Sequence, residues 1–342
     1  MDDRRRALAD PLGPGHSYEM RRLGILTSGG DGPGMNAAIR AAVRTATNRG
    51  IEMVGYLDGY SGFVNGSFVE LNDRTVANTI QRGGTFIGTS RCPEFKEASV
   101  RAAAVEQMRR QGVDGLIVIG GDGSFRGLRA LEVEHGIPVA GIPGTIDNDV
   151  YGTEETIGFD TAVNTAVLAI DQIRDTSEST GMMFFVEVMG RTSGAIALHT
   201  AVAAGASGVL VPEAEEDSED LAHRIEASAR RGKRSHIVVV AEGDEAGGAF
   251  GVAERVSAVV NRPHRVVILG HVQRGGRPSA RDRVVASLGG ALAVEALVAG
   301  RSGMMIGMQG GRAVEVPLQE VVEHQHPVPE YHLLQLAEML AG

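Results

Sequence analysis

The sequence predicts an α/β fold with two Rossmann-like, three-layer α/β/α domains, mostly parallel sheets and a cleft between the domains. Short apolar runs without clean alternation recur along the chain, helical patterns separate most of them, and glycine-rich polar turns follow many of them. Apolar strands that alternate with helices are typical of parallel sheets covered on both faces. Because ligands bind beyond the carboxyl ends of the strands in such sheets, the polar turns predict a shared cleft.

The predicted elements follow from the spacing of the apolar residues. Runs of about four to eight apolar residues, bounded by glycine or polar residues, indicate buried strands. Such strands are predicted at residues 23–27, 51–56, 115–119, 137–142, 182–189, 207–211, 236–241, 265–270 and 304–308. Apolar residues that recur every three or four positions indicate helices. Helices are predicted, among other segments, at residues 35–48, 99–111, 160–170, 218–230 and 280–298.

The composition limits the classes of protein to which the chain can belong. Its 342 residues suffice for about two domains. A net charge of -10 argues against nonspecific nucleic-acid binding, which needs a basic surface. The single cysteine, Cys92, excludes an intrachain disulfide and fits a reducing, cytoplasmic location. The apolar runs fall short of the roughly 18 residues of a membrane span, so no membrane partner is expected.

Three glycine-rich or acidic turns follow predicted strands and indicate phosphoryl transfer. Two of them share the sequence Gly-Gly-Asp, at residues 29–31 and 120–122, and the third is Thr145–Asp149. Glycine lets backbone N–H groups approach a phosphate closely, and carboxylates can hold Mg²⁺. The first turn leads into a predicted helix, whose N-terminus favours an anion. A tight strand-to-helix turn without a ligand is the alternative interpretation of that motif.

The acidic run carries two carboxylates spaced by two residues. In an extended segment, the side chains of Asp147 and Asp149 would point the same way. One could then accept the proton of an attacking hydroxyl while the other helps to hold a metal ion. Arginine pairs well with phosphate oxygens, so basic residues after other strands suit a sugar phosphate. These candidates are Arg191, Arg265, His271 and Arg274, and Arg91 is a candidate for bridging the two reacting phosphates.

Taken in order, these motifs indicate a family. The chain resembles the 6-phosphofructokinase family that includes the bacterial ATP-dependent enzymes, over about residues 23 to 310. The resemblance rests on the segments LTSGGDGPGMNAAIR (26–40), GGTFIGTSR (83–91), GGDGS (120–124), PGTIDND (143–149), VEVMGR (186–191) and GHVQRGG (270–276). It implies the committed step of glycolysis, in which ATP and fructose 6-phosphate give ADP and fructose 1,6-bisphosphate.

The resemblance also implies roles for individual residues. The implied ATP site consists of Gly30, Arg91, Cys92, Gly121, Asp122, Gly123 and Ser124, with Mg²⁺ on Asp122 and Asp149. Asp147 would be the general base, and Thr145, Arg191, Arg91 and Gly30 would be the other catalytic residues. The implied fructose 6-phosphate site consists of Thr145, Asp147, Met189, Gly190, Arg191, Glu242, Arg265, His271 and Arg274. Arg265 would reach this site from a neighbouring subunit.

The same resemblance implies the domain organisation, assembly and control of the protein. After a flexible arm of residues 1–20, it implies an ATP-binding domain of residues 21–158 plus 273–323. Residues 159–272 plus 324–342 would form the sugar-phosphate-binding domain. The protein is expected to be a cytoplasmic homo-oligomer, as a homotetramer. An effector, ADP or phosphoenolpyruvate, would bind Arg40, Arg44, Arg174, Arg231 and Lys233, with a solvated basic face as the alternative interpretation of these residues.

Two positions bear on the phosphoryl donor. In the pyrophosphate-dependent branch of the family, aspartate is typical at the position of Gly123 and lysine at that of Gly144, so the two glycines favour ATP. A kinase that uses pyrophosphate or another phosphosugar is nevertheless an alternative, as is a non-catalytic sugar-phosphate sensor. The intact acids Asp122, Asp147 and Asp149 argue against the sensor.

One position departs from the family pattern. The family normally has an arginine for the sugar 6-phosphate seven residues before the methionine of Met-Gly-Arg, where this chain has Met182. Methionine cannot pair with phosphate. The loss of such a contact costs about 1.5–3 kcal/mol, or roughly ten- to hundred-fold in affinity.

Overall fold

The computed structural model describes residues 20–214, 218–243, 247–324 and 331–341. Apart from Met20, the arm predicted at residues 1–20 lies outside the described residues. Within the described part of the chain, no helix combines the length and the apolar character that a membrane crossing requires.

Strands and helices alternate along most of the described chain. The strands are β1 (Arg22–Thr27), β2 (Glu52–Tyr56), β3 (Phe68–Leu71), β4 (Gly115–Gly120), β5 (Val139–Thr145), β6 (Ile157–Gly158), β7 (Met183–Val188), β8 (Gly208–Leu210), β9 (His236–Ala241), β10 (His264–Ile268), β11 (Met304–Gln309) and β12 (Arg312–Pro317). The helices are α1 (Met35–Asn48), α2 (Tyr60–Asn65), α3 (Ala98–Arg110), α4 (Asp122–His135), α5 (Phe159–Thr180), α6 (Ala195–Ala204), α7 (Ser218–Arg230), α8 (Gly248–Val259), α9 (Ala280–Val298), α10 (Leu318–Glu323) and α11 (Tyr331–Leu340).

The strands form two sheets. The larger sheet has the order β12-β11-β5-β4-β1-β2-β3, with β6 paired to β5, and the smaller has the order β10-β7-β9-β8. Every pair in the smaller sheet is parallel, and the larger sheet is antiparallel only at its edges, where β3 and β12 lie. The α/β class with mostly parallel sheets is therefore confirmed.

Helices cover both faces of each sheet. In the larger sheet, one apolar cluster joins the strands to α1 and α9, and another joins them to α3 and α4. In the smaller sheet, α5 and α6 pack on one face and α7 and α8 on the other. Strands β4 and β9 are buried along their whole length, which explains why they are continuous apolar runs.

Each predicted strand and helix is present, and apart from helix α5 the boundaries differ by a few residues. Helix α5 extends well beyond the predicted segment 160–170, to Thr180. Strands β3, β6 and β12 are absent from the prediction. Strand β6 has only two residues. Strands β3 and β12 lie at antiparallel edges and are only partly buried, and glutamate and arginine interrupt their apolar pattern.

A buried carboxylate ties the start of α9 to the start of α5. Asp282 is 2% exposed, and it accepts hydrogen bonds from the backbone N–H groups of Gly158 and Thr161, each at 2.9 Å. The Thr161 hydroxyl also donates to this carboxylate and accepts from the backbone N–H of Ser279 at 2.9 Å. Asp282 therefore caps α5 at the point where the chain leaves the larger sheet for the smaller one.

We expect Asp282→Ala to lower the free energy of unfolding by about 2–4 kcal/mol, because it removes a cap and leaves buried donors without an acceptor. Urea unfolding at constant pH measures this loss. The exposed Asp73→Ala is the matched control, with an expected change within about 0.5 kcal/mol. Equal losses in the two variants would contradict the capping role.

Candidate active site

The carboxyl ends of β1, β4 and β5 bring three turns together, because these strands are parallel neighbours. A Cβ atom at Gly121 would lie 3.8 Å from the Cβ of Thr145, so the turn after β4 lies beside the end of β5. The Ser124 hydroxyl donates to the carbonyl of Ser28 at 3.2 Å, which joins the turn after β4 to the turn after β1. The predicted convergence of these motifs is thus present in the structure.

Asp147 lies buried next to these turns. It is 4% exposed, and among the described residues its Oδ1 has no hydrogen-bond partner. Its Oδ2 lies 3.9 Å from the Nε of Arg191. Burial and then the charge of Asp149 raise the pKa of Asp147 to about 6, while Arg274 and Arg191 act in the opposite direction. A carboxylate of this kind is suited to accept a proton near neutral pH.

The conformation predicted for the acidic run is wrong. Residues 146–147 form a turn, and Asn148 has a φ of 49°, so Asp147 and Asp149 do not lie on one face of an extended segment. Asparagine tolerates this left-handed conformation better than most residues. The Asn148 side chain also fixes the loop, because its Oδ1 accepts from the N–H of Thr156 at 2.9 Å and its Nδ2 donates to the carbonyl of Glu154 at 3.1 Å. Such a turn is the alternative structure that the Asp- and Asn-rich sequence of this loop also allows.

The turn after β7 presents Arg191 towards Asp147. Arg191 has a φ of 55°, and the carboxylate of Glu242 accepts hydrogen bonds from the N–H groups of Gly190 at 3.3 Å and Arg191 at 2.8 Å. A Cβ atom at Gly243 would lie 1.6 Å from the carbonyl oxygen of Arg191, so this position requires glycine. Glu242, predicted as a sugar-phosphate residue, thus holds the turn that carries Arg191.

Arg274 connects the two groups of turns. It lies at the end of a short 3-10 turn, Gly270–Arg274, after β10 of the smaller sheet. Its Nη1 donates to the carbonyl of Asp31 at 3.3 Å, and a Cβ atom at Gly30 would lie 2.0 Å from this nitrogen. Gly30 therefore leaves room for a guanidinium group that joins both halves of the site.

Other predicted sugar-phosphate residues lie on the smaller sheet. Met189 is buried, with its N–H donating to the side chain of Gln273 at 2.9 Å. His271 is exposed on the 3-10 turn. Arg265 is exposed on the edge strand β10, and its Nη1 donates to the carbonyl of His264 at 2.8 Å. Met182 packs against the apolar cluster of α5 and α6.

The predicted nucleotide residues line the start of α4 and a neighbouring loop. Asp122 forms an ion pair with Arg126 at 3.0 Å, and a Cβ atom at Gly123 would have no heavy atom within 4 Å. Arg91 is exposed on a loop that is tied to the first turn, because Thr89 donates to the carbonyl of Gly29 at 2.9 Å. Cys92 is partly buried, and burial raises the pKa of its thiol.

The acids available for a metal ion suit magnesium rather than a metal held by protein ligands alone. Within residues 20–214, 218–243, 247–324 and 331–341, no group of three or more His, Cys, Asp or Glu side chains is arranged to hold a metal ion. Magnesium usually takes one or two carboxylates, substrate phosphates and several waters. Asp122 and Asp149 supply the two carboxylates that this pattern needs, and Asp122 is paired with Arg126 in this structure.

Part of the predicted effector cluster converges. Burial and then the positive charges of Arg174 and Arg231 lower the pKa of Lys233, so both guanidinium groups act on this amine. Lys233 also donates to the carbonyl of Ala341 at 3.0 Å. Arg40 and Arg44 lie on α1, beside the larger sheet, whereas Arg174 lies on α5 and the other two residues lie between α7 and β9, beside the smaller sheet.

Comparisons with known proteins agree with the motifs. The family model described as Phosphofructokinase matches residues 22–297. The ATP-dependent 6-phosphofructokinase 1 of Thermus thermophilus is 53% identical over 322 residues, which cover 94% of this chain and 100% of the relative. The ATP-dependent 6-phosphofructokinase of Bacillus thuringiensis is 48% identical over the same shares of both chains.

Solved structures share the fold. The phosphofructokinase of Saccharomyces cerevisiae aligns with a TM-score of 0.82 and 33% identity, over 89% of this chain and 45% of that chain. A pyrophosphate-dependent phosphofructokinase of Marinobacter aquaeolei has the same TM-score of 0.82 at 21% identity, over 93% of this chain and 91% of that chain, which indicates the fold alone. The family resemblance predicted from the motifs is confirmed: with a matching family model and relatives about half identical along almost its whole length, this chain belongs to the phosphofructokinase family.

Proposed function

We propose that the protein transfers the γ-phosphoryl group of ATP to the 1-hydroxyl of fructose 6-phosphate, giving ADP and fructose 1,6-bisphosphate in glycolysis. The observation that carries this proposal is Asp147, a buried carboxylate with a pKa near 6 at the carboxyl ends of the strands, next to two arginines. The relatives at 48% and 53% identity are named ATP-dependent 6-phosphofructokinases, which supports the same reaction.

In the proposed mechanism, Asp147 accepts the proton of the sugar 1-hydroxyl while the hydroxyl oxygen attacks the γ-phosphorus. The bond from this phosphorus to the β,γ-bridging oxygen breaks, and ADP leaves. Arg191 stabilises the negative charge that develops on the transferring group, and Arg91 bridges the two reacting phosphates. Thr145 and the backbone N–H of Gly30 donate to the same phosphate oxygens. Positioning and charge stabilisation supply most of the rate in reactions of this class. Asp122 and Asp149 would hold Mg²⁺, which would supply positive charge to neutralise the phosphates.

ATP is the proposed donor, since the start of α4 leaves room for a nucleotide beside Gly121, Gly123 and Ser124. A Cβ atom at Gly123 meets open space, whereas one at Gly144 would lie 2.7 Å from Ile119 Cγ2. Lysine at position 144, typical of pyrophosphate-dependent relatives, would thus require a shift of Ile119. Steady-state assays with fructose 6-phosphate and Mg²⁺, using ATP and pyrophosphate in parallel, test this donor. Turnover with pyrophosphate but not with ATP would refute ATP as the donor. Absence of turnover with both donors would favour another acceptor or a binding role.

The sugar-phosphate site is proposed to use Met189, Gly190, Arg191, Glu242, His271 and Arg274 of one subunit and Arg265 of its neighbour. This arrangement needs a homo-oligomer, and we propose a cytoplasmic tetramer. The proposed domains are residues 21–158 plus 273–323 for ATP and 159–272 plus 324–342 for the sugar phosphate. Their division matches the two sheets, since β7 to β10 all fall in the second domain.

We expect Met182→Arg to lower the KM for fructose 6-phosphate roughly tenfold and to leave the KM for ATP unchanged. The new guanidinium would pair with the 6-phosphate, a charged contact of about 1.5–3 kcal/mol. The loss of methionine packing on α5 and α6 would offset part of this binding energy. Saturation curves for both substrates measure the effect. Met182→Gln, which is similar in length but uncharged, is the matched control, and an equal fall in KM with glutamine would contradict the charge explanation.

An anionic effector, ADP or phosphoenolpyruvate, is proposed to bind the cluster of Arg174, Arg231 and Lys233. Arg40 and Arg44 of a neighbouring subunit would complete the site. Arg174 and Arg231 both act on the Lys233 amine and lower its pKa, and an anion bound there would offset this repulsion. Initial rates at subsaturating fructose 6-phosphate, with and without each compound, test this proposal. Rates that respond to neither compound would refute it.

A further inference from the structure

One buried side chain of the GHVQRGG segment has no assigned role. Gln273 is fully buried in the 3-10 turn between His271 and Arg274, whereas its neighbour Val272 is 62% exposed. Its Oε1 accepts from the N–H of Met189 at 2.9 Å, and its Nε2 donates to the carbonyl of Ala162 at 3.4 Å. One amide therefore joins the 3-10 turn to the turn after β7 and to helix α5.

The two hydrogen bonds require an amide at this position. One end of the side chain must accept from a backbone N–H, and the other must donate to a backbone carbonyl. Glutamine does both, an ionised glutamate only accepts, and methionine of similar length does neither in practice. Because the site is buried, a lost partner leaves a backbone group unpaired, which is costly.

The same amide connects the turns of two arginines whose charges act on Asp147, the proposed general base. On one side, Met189 begins the turn that carries Arg191, and Glu242 holds the next two N–H groups of that turn. On the other side, Gln273 directly precedes Arg274, which reaches the turn at Asp31. The charges of both arginines act on the Asp147 carboxylate. A shift of either turn would therefore change the distance between these cations and the reacting groups.

We propose that Gln273 is a positioning residue that fixes the turns of Arg191 and Arg274 relative to each other, so that sugar-phosphate binding and proton transfer depend on its amide. This inference rests on the proposed phosphofructokinase activity. Gln273 itself touches backbone groups of Met189 and Ala162, and its role is exerted through the two arginines.

The test compares Gln273→Met and Gln273→Glu with the wild-type enzyme, and uses the exposed Gln319→Met on α10 as the matched control. For Gln273→Met we expect the KM for fructose 6-phosphate to rise at least tenfold and kcat to fall, while the KM for ATP stays within about twofold.

Gln273→Glu supplies a second readout that does not depend on how well Gln273→Met folds. A protonated glutamate regains the missing donor, so its activity relative to wild type should rise as the pH falls from about 9 to 6.5. A defect of Gln273→Glu that is independent of pH, or an equal rise of both KM values in Gln273→Met, would reduce Gln273 to a merely structural role and overturn the inference. Absence of turnover in the wild-type enzyme would instead refute the proposed function.

Discussion

Asp147→Asn is expected to lower kcat by at least about a thousandfold, because it removes the group that accepts the proton of the sugar hydroxyl. The amide has nearly the same shape as the carboxylate, so binding of both substrates should change little. Steady-state assays and calorimetric binding of fructose 6-phosphate separate the two effects. A variant that retains wild-type turnover would refute the assignment of Asp147 as base.

The same substitution should make the ligand-free protein more stable above pH 6. Burial and Asp149 raise the pKa of Asp147 in the folded state from 3.8 to about 6, so the folded protein binds this proton more tightly than the unfolded chain does. The contribution of this group to stability is therefore complete at low pH and is lost as the pH rises from about 4 to about 6. One pKa unit corresponds to about 1.4 kcal/mol, so Asp147→Asn should recover up to about 3 kcal/mol at pH 8.

Urea unfolding of the wild type and the variant at several pH values measures this difference. The variant should be more stable at pH 8, and its advantage should shrink as the pH falls towards 4. Asp73→Asn, which changes an exposed carboxylate, is the control and should leave the stability nearly unchanged at both ends of the range. A constant difference in stability between wild type and Asp147→Asn across the range would contradict the interpretation that burial destabilises the charged form of Asp147.

In the wild-type enzyme, kcat/KM should fall below a pH of about 6, because Asp147 is then protonated and cannot accept the proton of the sugar hydroxyl.

The sequence predicted the architecture well where the local pattern alone determines the structure. Strands such as β4 and β9 are buried on both faces, so their continuous apolar runs were sufficient to locate them. The edge strands β3 and β12 were missed because half-exposed antiparallel strands carry charged residues that break the run. The convergence of the turns after β1, β4 and β5 followed from the parallel order of these strands.

The fine geometry of the site depends on contacts between distant segments, which no local pattern contains. The left-handed conformation of Asn148, which made the extended interpretation of the acidic run wrong, is stabilised by Thr156 and Glu154. Likewise, Glu242 and Gln273 fix the turn of Arg191 from segments about 50 and 80 residues away. The motifs therefore identified which residues lie close together at the site, whereas the partners that orient them became visible only in the structure.

Gly123→Asp is expected to lower kcat/KM for ATP by about a hundred- to a thousandfold without destabilising the fold. A Cβ atom at this position meets no heavy atom within 4 Å, so the side chain fits. It lies in the first turn of α4, where an acidic residue favours the helix. The new carboxylate would, however, project beside Asp122 into the space proposed for the nucleotide phosphates, where like charges in contact cost several kcal/mol.

Gly123→Asn separates charge from volume, because asparagine has almost the same size without the charge. We expect this control to lose about tenfold or less in kcat/KM for ATP. Both variants should have the same urea midpoint of unfolding as the wild type. Equal losses with asparagine and aspartate would mean that volume, rather than charge, excludes ATP from the turn. Unchanged use of ATP by Gly123→Asp would place the phosphates elsewhere and refute the proposed nucleotide site. Since a lysine at Gly144 would have to displace Ile119, Gly123→Asp alone should abolish much of the ATP reaction without creating an efficient pyrophosphate-dependent one.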